Sequence, residues 1–190
     1  MMLKILIIAL LINNIVLMRY IALCSYIGMT SDVGQSVGMG FAVTFVTVLA
    51  TAATWPLYHL VLVPFHLEFL KILVFILVIA SLVQLVEYYL KKNVPGLYAA
   101  MGIYLPLITT NCAILAVTFE NISNNYDFIT SIVYSVGVSA GYLLALILLA
   151  GVRIRIRNSA VPKFLRGTPI LFVATSLIAV AFMGFAGLIK

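Results

Sequence analysis

The sequence contains little charge, and this scarcity limits what the protein can be. Only 8% of its 190 residues are charged, and only five of these are acidic. A soluble domain carries about 25% charged residues, so an ordinary water-soluble fold is excluded. The eleven lysines and arginines give a net charge of +6, but they are few and mostly flank apolar segments, as membrane topology requires. We therefore expect a lipid bilayer, and no nucleic acid, as a partner.

Cysteine is also scarce. Cys24 and Cys112 both lie within apolar stretches, which excludes the disulfide framework of a small secreted protein. A lone cysteine in such surroundings is most often a small packing residue. The alternative is a cluster ligand, because thiolates hold iron–sulfur centres and a [2Fe–2S] cluster normally takes four ligands. Two cysteines provide only half of such a set, so a partner subunit would have to complete it.

Apolar residues dominate what is present. They make up 65% of the chain, the mean hydropathy is +1.24, and the apolar runs are continuous, which favours helices over an alternating barrel. We predict an all-α polytopic membrane protein with about six transmembrane helices, forming a single membrane domain over residues 1–190. The predicted spans are residues 3–27, 38–60, 69–90, 97–119, 129–151 and 168–189.

The basic residues predict the orientation. Lysines and arginines concentrate in the connections 91–96 and 152–167, whereas the connection 120–128 carries Glu120 and Asp127 and no base. Basic loops stay on the cytoplasmic side, so both termini are predicted to lie on the outer side. The N-terminal segment imitates a signal peptide, but Leu23 is bulky at the would-be cleavage site and Arg19 interrupts the apolar run. We expect it to be retained.

The six spans divide into two halves of three, residues 1–95 and 96–190. An odd number of spans in each half makes any internal repeat an inverted-topology repeat. Spans one and four share an unusual polar texture, with Asn13 and Asn14 in the first and Thr109, Thr110 and Asn111 in the fourth. Aligning the asparagines does not align the two cysteines, so the register of the predicted repeat stays open.

Spans one and four are predicted to be broken helices. Pro106 removes a backbone donor and bends its helix, and we expect the polar residues after it to satisfy the freed carbonyls. Broken helices in corresponding places indicate a site near the bilayer midplane. The ion-path candidates are therefore Asn13, Asn14, Thr109, Thr110 and Asn111. The alternative is that these side chains only join helices, at about 0.6 kcal/mol per hydrogen bond.

Glu87 is a further ion-path candidate, because an acidic residue inside a membrane segment is by default a candidate for a functional role. It lies four residues before Lys91. At that spacing the two side chains can pair on one helix face, which gives a purely structural alternative.

Several segments resemble a known family. Residues 13–24, 38–40, 105–113 and 181–188 carry the densest matches, including Leu105-Pro106-Leu107-Ile108-Thr109-Thr110-Asn111-Cys112. Through nearly its whole length the chain resembles the RnfA/NqrE family of membrane subunits. The Asn13–Asn14 pair is similar to the Rnf branch, since the counterpart in the sodium-pumping NADH:quinone oxidoreductase tends to carry an acidic residue first.

The resemblance implies a function. It implies a subunit of an ion-translocating ferredoxin:NAD oxidoreductase complex in the cytoplasmic (inner) membrane of a bacterium or archaeon, moving Na⁺ or H⁺. It also implies that Cys24 and Cys112 ligate an intramembrane [2Fe–2S] cluster shared with an RnfE-like homologous subunit of opposite topology. Other Rnf membrane and cytoplasmic subunits would carry the flavin, ferredoxin and NADH sites, so no complete active site is expected here. One departure is Ser25-Tyr26, where many relatives carry Pro-Phe.

Two other functions remain open. The chain could be a small secondary transporter or ion carrier that binds its ion at the asparagine and threonine candidates and has no redox centre. It could also be a structural scaffold in a larger complex. Iron content distinguishes the redox subunit from both alternatives.

Overall fold

The computed structural model describes residue 6 and residues 8–12, 14–64, 68–93, 111–159 and 162–186. Every regular element within these residues is helical. A spanning helix satisfies its backbone hydrogen bonds internally, which an apolar solvent requires. The predicted all-α polytopic architecture is confirmed.

The α-helices of the described residues are α1 (Ile15–Arg19), α2 (Leu23–Met29), α3 (Val33–Leu57), α4 (Lys71–Asn93), α5 (Cys112–Ser123), α6 (Phe128–Arg157) and α7 (Thr168–Ala186). A π-helix, Ile8–Ile12, precedes α1, and a second, Tyr58–Leu62, continues α3 beyond Pro56. Short 3₁₀ turns, Glu68–Leu70 and Lys163–Leu165, lie before α4 and α7.

Three of these helical stretches are long and apolar enough to cross a bilayer. They are Val33–Leu62, Lys71–Tyr89 and Phe128–Arg157, while Cys112–Ser123 and Thr168–Gly184 are shorter apolar helices. They correspond to the predicted spans two, three, five, four and six. The first part of predicted span four, residues 97–110, lies outside the described residues.

The ends of several predicted spans need correction. Helix α6 continues to Arg157, six residues past the predicted end at 151, because long arginine side chains can reach the headgroups while the helix goes on. The predicted connection 28–37 shrinks to residues 30–32, since α2 ends at Met29 and α3 begins at Val33. The Ser36 hydroxyl closes this turn by donating to the carbonyls of Met29 (3.1 Å) and Asp32 (2.9 Å).

The chain forms two compact units. Unit one contains residues 1–41 and 137–190, and unit two contains residues 42–136. Helices α3 and α6 each contribute residues to both units. The units do not coincide with the halves 1–95 and 96–190, and the inverted repeat stays a prediction.

Unit one packs the N-terminal π-helix onto α6 through small residues. A Cβ added at Gly141 would lie 2.8 Å from the Leu10 carbonyl oxygen, and one at Gly137 would lie 3.1 Å from the Ala9 Cβ. Only glycine allows so close an approach, as in the small-residue interfaces of membrane helices. Helix α7 packs against the same π-helix and against α1.

Unit two contains the contact between α4 and α5. Helix α4 buries a narrow stripe, Phe75, Ile79 and Val83, at a spacing of four residues. Its other faces expose large apolar side chains, among them Leu77 and Leu85. In a bilayer such faces contact lipid or a neighbouring protein chain.

Candidate functional site

Cys24 lies just after a break in the first predicted span. Helix α1 ends at Arg19, and both Tyr20 (φ 55°) and Ala22 (φ 66°) adopt the left-handed conformation before α2 begins. That conformation costs roughly 1–2 kcal/mol for a residue with a Cβ, so the surroundings must enforce the break. The prediction of a broken first helix is thus confirmed for the described residues, and the break places Cys24 in the first turn of α2.

Buried hydrogen bonds hold the start of α2 in place. Ser25, the residue after Cys24, is fully buried. Its hydroxyl donates to the Ala22 carbonyl (3.0 Å) and accepts from the Tyr142 hydroxyl (2.9 Å) of α6. Cys24 itself is exposed. The polar anchor of α2 therefore uses the side chain next to the cysteine and leaves the thiol on the surface of unit one.

The end of α2 is fastened in the same way. The Arg153 guanidinium of α6 donates to the Ile27 carbonyl (3.0 Å) and to the Thr30 hydroxyl (3.2 Å). Tyr142 lies near the middle of α6 and Arg153 near its basic end. These two contacts hold α2, and with it Cys24, against the part of α6 that lies between the middle of α6 and its basic end.

Cys112 is the first residue of α5, and Asn111 caps this helix. The Asn111 Oδ1 accepts from the backbone N–H of Ala113 at 3.1 Å, which satisfies a donor that every helix N-terminus leaves open. The carbonyls freed by Pro106 lie outside the described residues, so the expectation that Asn111 satisfies them stays a prediction. The Cys112 side chain is exposed, while Asn111 is only 4% exposed.

The amide nitrogen of the Asn111 side chain has unusual surroundings. Its Nδ2 is buried and has no hydrogen-bond partner within the part of the chain that the structure describes. Burying an amide donor without a partner costs about 1–3 kcal/mol. Such a group beside an exposed thiol suits an acceptor that the described residues do not supply.

Asn14 is the matching cap of α1. Its Oδ1 accepts from the N–H groups of Val16 (3.2 Å) and Leu17 (3.4 Å), and its Nδ2 donates to the Gly141 carbonyl at 2.8 Å. Among the described residues, packing and capping account for the hydrogen bonds of this side chain. Its role in an ion path stays a prediction, as the helix-joining alternative explains every contact that it makes.

The remaining candidates are less informative. Asn13, Thr109 and Thr110 lie outside the described residues. Glu87 is half-buried near the C-terminal end of α4, one turn before Lys91. Cys24 and Asn14 belong to unit one, whereas Cys112, Asn111 and Glu87 belong to unit two.

Neither cysteine forms a disulfide. Among the residues that the structure describes, no group of three or more histidine, cysteine, aspartate or glutamate side chains could hold a metal ion. Both thiols are exposed and therefore accessible to residues of another chain. Each can at most contribute to a site that other residues complete.

Sequence reasoning missed a buried polar cluster in unit two. The Thr51 and Ser135 hydroxyls lie 2.7 Å apart, and the Asn121 Nδ2 donates to the Ser135 hydroxyl at 3.2 Å. The Asn121 Oδ1 is buried and has no partner within the described residues. The spacing of the hydroxyl residues could have revealed the cluster, because residues three or four positions apart share one face of a helix. Two such sets are buried: Thr47, Thr51 and Thr54 on α3, and Ser131, Ser135 and Ser139 on α6.

Comparisons with known proteins match the chain to one family of membrane subunits. A family described as "Rnf-Nqr subunit, membrane protein" matches residues 2–189. The chain is 51% identical over 188 residues to the A subunit of the ion-translocating oxidoreductase complex of Syntrophotalea carbinolica, covering 99% of this chain and 97% of the relative. It is 49% identical over 180 residues to the A subunit of the Na⁺-translocating ferredoxin:NAD⁺ oxidoreductase complex of Acetobacterium woodii, covering 95% and 94%.

A third relative differs in the ion that its name gives. This protein, the A subunit of the proton-translocating ferredoxin:NAD⁺ oxidoreductase complex of Clostridium ljungdahlii, is 45% identical over 182 residues, covering 96% of this chain and 94% of the relative. Relatives of similar identity are thus named for Na⁺ and for H⁺, so overall similarity does not select the ion.

Proposed function

The chain belongs to the Rnf-Nqr family of membrane subunits, and from this premise we propose that it is a membrane subunit of an ion-translocating ferredoxin:NAD oxidoreductase complex. Two of the relatives carry this activity in their names at 45% and 49% identity. In such a complex this chain provides neither a nucleotide site nor a complete active site. Its part is to pass electrons within the membrane and to couple their passage to the movement of Na⁺ or H⁺.

The proposed redox centre is a [2Fe–2S] cluster for which Cys24 and Cys112 supply two of four thiolates. An RnfE-like subunit of opposite topology supplies the other two. Both cysteines are exposed and lie in the first turn of a helix, so their side chains are accessible to a partner. When bound, the cluster would accept and release one electron at a time.

The observation that carries this proposal is the pair formed by Asn111 and Cys112. The Asn111 Nδ2 is a buried donor without a partner in the described chain. Asn111 directly precedes Cys112 in the sequence, and the Cys112 thiol is exposed. A cluster places thiolate and sulfide sulfurs, which are hydrogen-bond acceptors, beside its ligands. Asn111 fits such a group, because its Oδ1 is held by the cap and its N–H donors remain available.

This chain's own residues would position the ligands. The hydrogen bonds of Ser25 with Ala22 and Tyr142 fix the start of α2, and the Asn111 cap fixes the start of α5. The helix dipole at the N-terminus of α5 favours the negative charge that a ligating thiolate carries. These contacts orient the thiols while the other two ligands come from another chain.

The proposed topology follows the basic residues. Lys91 and Lys92 at the end of α4, together with the arginines at the end of α6, lie on the cytoplasmic side of the inner membrane, and both termini lie on the outer side. Fusions of alkaline phosphatase and of green fluorescent protein to the C-terminus test this. Phosphatase activity without fluorescence is expected, and the reverse pattern would refute the orientation.

The test of the redox centre uses the complex purified anaerobically with its membrane partners. Iron content and low-temperature EPR spectra are compared for the wild type, Cys24→Ser and Cys112→Ser. We expect a [2Fe–2S] signal in the wild type that disappears in each variant, together with two iron atoms per cluster. An intact complex in which neither variant loses iron would refute the ligand assignment.

An ion carrier without a redox centre is the second candidate, and the polar cluster of unit two favours it. Thr51, Asn121 and Ser135 bring hydroxyl and amide oxygens together in a buried position, and the Asn121 Oδ1 has no partner in the described chain. Oxygen ligands of this kind suit hard cations. Ion uptake by proteoliposomes in the absence of iron and of electron donors would favour this candidate.

A further inference from the structure

A cavity of about 530 Å³ opens in unit one between the end of α6 and the start of α7. Its lining has a basic part and an apolar part. Three arginines, Arg153, Arg157 and Arg166, contribute the charge. The apolar wall contains Ile156, Ile170 and Leu171.

The charge of the cavity is of one sign. No acidic residue is among those that line it, as far as the structure describes them. Arg153 already donates to the end of α2, whereas Arg157 and Arg166 are exposed. Like charges that converge without a counter-ion repel one another, and an anion in the cavity would relieve the repulsion.

The cavity lies where the apolar helices of unit one end. The apolar run of α6 gives way to arginines at Arg153, and the apolar run of α7 begins at Ile170. This is the level of the lipid headgroups for helices that cross a bilayer. A ligand held here meets guanidinium groups on one side and an apolar wall on the other.

We propose that this cavity binds the phosphate-bearing headgroup of an anionic phospholipid, with the first part of its acyl chains along the apolar wall. Guanidinium groups bind phosphate oxygens in a bidentate way, and basic pockets between membrane helices on the cytoplasmic side favour such headgroups. The apolar wall favours a phospholipid over a soluble phosphate. Arg153 lines the cavity and also holds the end of α2, the helix that carries Cys24, but the proposal does not rest on the redox centre.

Arg155 offers a matched control. It lies on the same helix as Arg153 and Arg157 and carries the same charge, but it does not line the cavity. Residues four apart share a helix face, whereas a residue two positions away points elsewhere. A diffuse attraction between a basic helix end and the membrane would involve Arg155 and Arg157 equally, but a defined pocket would not.

The test measures phospholipid binding to the purified complex by native mass spectrometry after loosely held lipid is removed. Phosphatidylglycerol, phosphatidylcholine and inorganic phosphate serve as probes. The variants are Arg157→Gln, its matched control Arg155→Gln, and the double variant Arg157→Gln/Arg166→Gln. Melting temperatures of all variants establish that the complex remains folded.

We expect Arg157→Gln to weaken phosphatidylglycerol binding about 5-fold and the double variant roughly 30-fold, with Arg155→Gln close to the wild type. Phosphatidylcholine should bind weakly to all of them, and inorganic phosphate should not displace phosphatidylglycerol. Equal losses in Arg155→Gln and Arg157→Gln would overturn the pocket in favour of diffuse attraction. Displacement by inorganic phosphate would overturn the phospholipid in favour of a soluble ligand.

Discussion

Asn14 and Asn111 cap helices in different units with nearly the same backbone, but their side-chain amides have different surroundings. Asn14 has φ −62° and ψ 112°, and Asn111 has φ −73° and ψ 111°. Each Oδ1 accepts backbone N–H groups of its helix. The Nδ2 of Asn14 donates to the Gly141 carbonyl, whereas the Nδ2 of Asn111 has no partner in the described chain.

The comparison separates two uses of one residue type. In unit one the asparagine completes a packed interface between the N-terminal segment and α6. In unit two it leaves a buried donor beside Cys112, at a place where we propose a ligand. Polar side chains at membrane depth are thus not equivalent, and their hydrogen-bond partners distinguish packing from a site.

The largest effect is expected at the cysteines. Cys112→Ser should lower ferredoxin-dependent NAD reduction by the complex roughly 100-fold or more, since even residues behind a metal ligand can change activity 10- to 100-fold. Cys24→Ser should have the same effect. The polypeptide composition of the complex on native gels is the control for assembly. Wild-type rates in fully assembled Cys112→Ser would remove the basis for treating unit two as a site, and wild-type rates in Cys24→Ser would refute Cys24 as a ligand.

The next largest difference is expected when Asn14 and Asn111 are each replaced by serine, which retains a capping oxygen and removes the amide donor. Asn14→Ser leaves the Gly141 carbonyl without its partner and should lower the free energy of unfolding by about 1–3 kcal/mol. Asn111→Ser removes a donor with no partner in the described chain, so in the absence of a cluster it should not lower stability. Thermal unfolding of the complex in detergent, after iron has been removed by chelation, measures both. Equal losses would show that the two caps do not differ.

The third prediction concerns the partner of Asn14. Gly141→Ala places a Cβ 2.8 Å from the Leu10 carbonyl oxygen, so the π-helix must move away from α6. We expect the free energy of unfolding to fall by about 1–3 kcal/mol, measured by thermal unfolding of the complex. Gly151→Ala on the same helix is the matched control, because a Cβ there meets nothing within 4 Å. A stable Gly141→Ala would contradict the close interface at Asn14.

The smallest effect is expected at the break before Cys24. Ala22 adopts φ 66°, which glycine tolerates without a steric penalty. Ala22→Gly should raise stability by up to about 1 kcal/mol, and Ala22→Val should lower it. Differential scanning fluorimetry of the complex is sufficient to rank the three side chains. A stabilising Ala22→Val would mean that this residue is not left-handed in the assembled protein.

Hydropathy predicted the helices well and their ends poorly. The apolar runs located α3, α4, α6 and α7 because burial in lipid depends on composition over about 20 residues. The continuation of α6 to Arg157 was missed because charged residues end an apolar run but do not end a helix. The left-handed residues Tyr20 and Ala22 carry no sequence signal, since glycine is the usual marker of that conformation.

The candidate site was predictable only in part. The sequence singled out Cys24 and Cys112 as thiols that could ligate a cluster, and Asn111 as a polar residue in an apolar run. Their hydrogen bonds were not predictable, because whether an asparagine caps a helix or joins two depends on the residues that the fold brings near it. The polar cluster at Thr51, Asn121 and Ser135 shows the same limit, as its members are far apart along the chain.

The central claim is that a redox centre lies beside the open amide of Asn111. Its most direct test is an EPR-monitored redox titration of the complex with wild-type Asn111 and with Asn111→Ser, which retains a capping oxygen, loses the amide donor and adds no charge. Such a hydrogen bond is stronger to the reduced, more negative cluster, and a difference of about 1.4 kcal/mol between the two redox states corresponds to about 60 mV for one electron, so we predict that the midpoint potential of the [2Fe–2S] signal falls by about that amount. An unchanged potential would contradict the account.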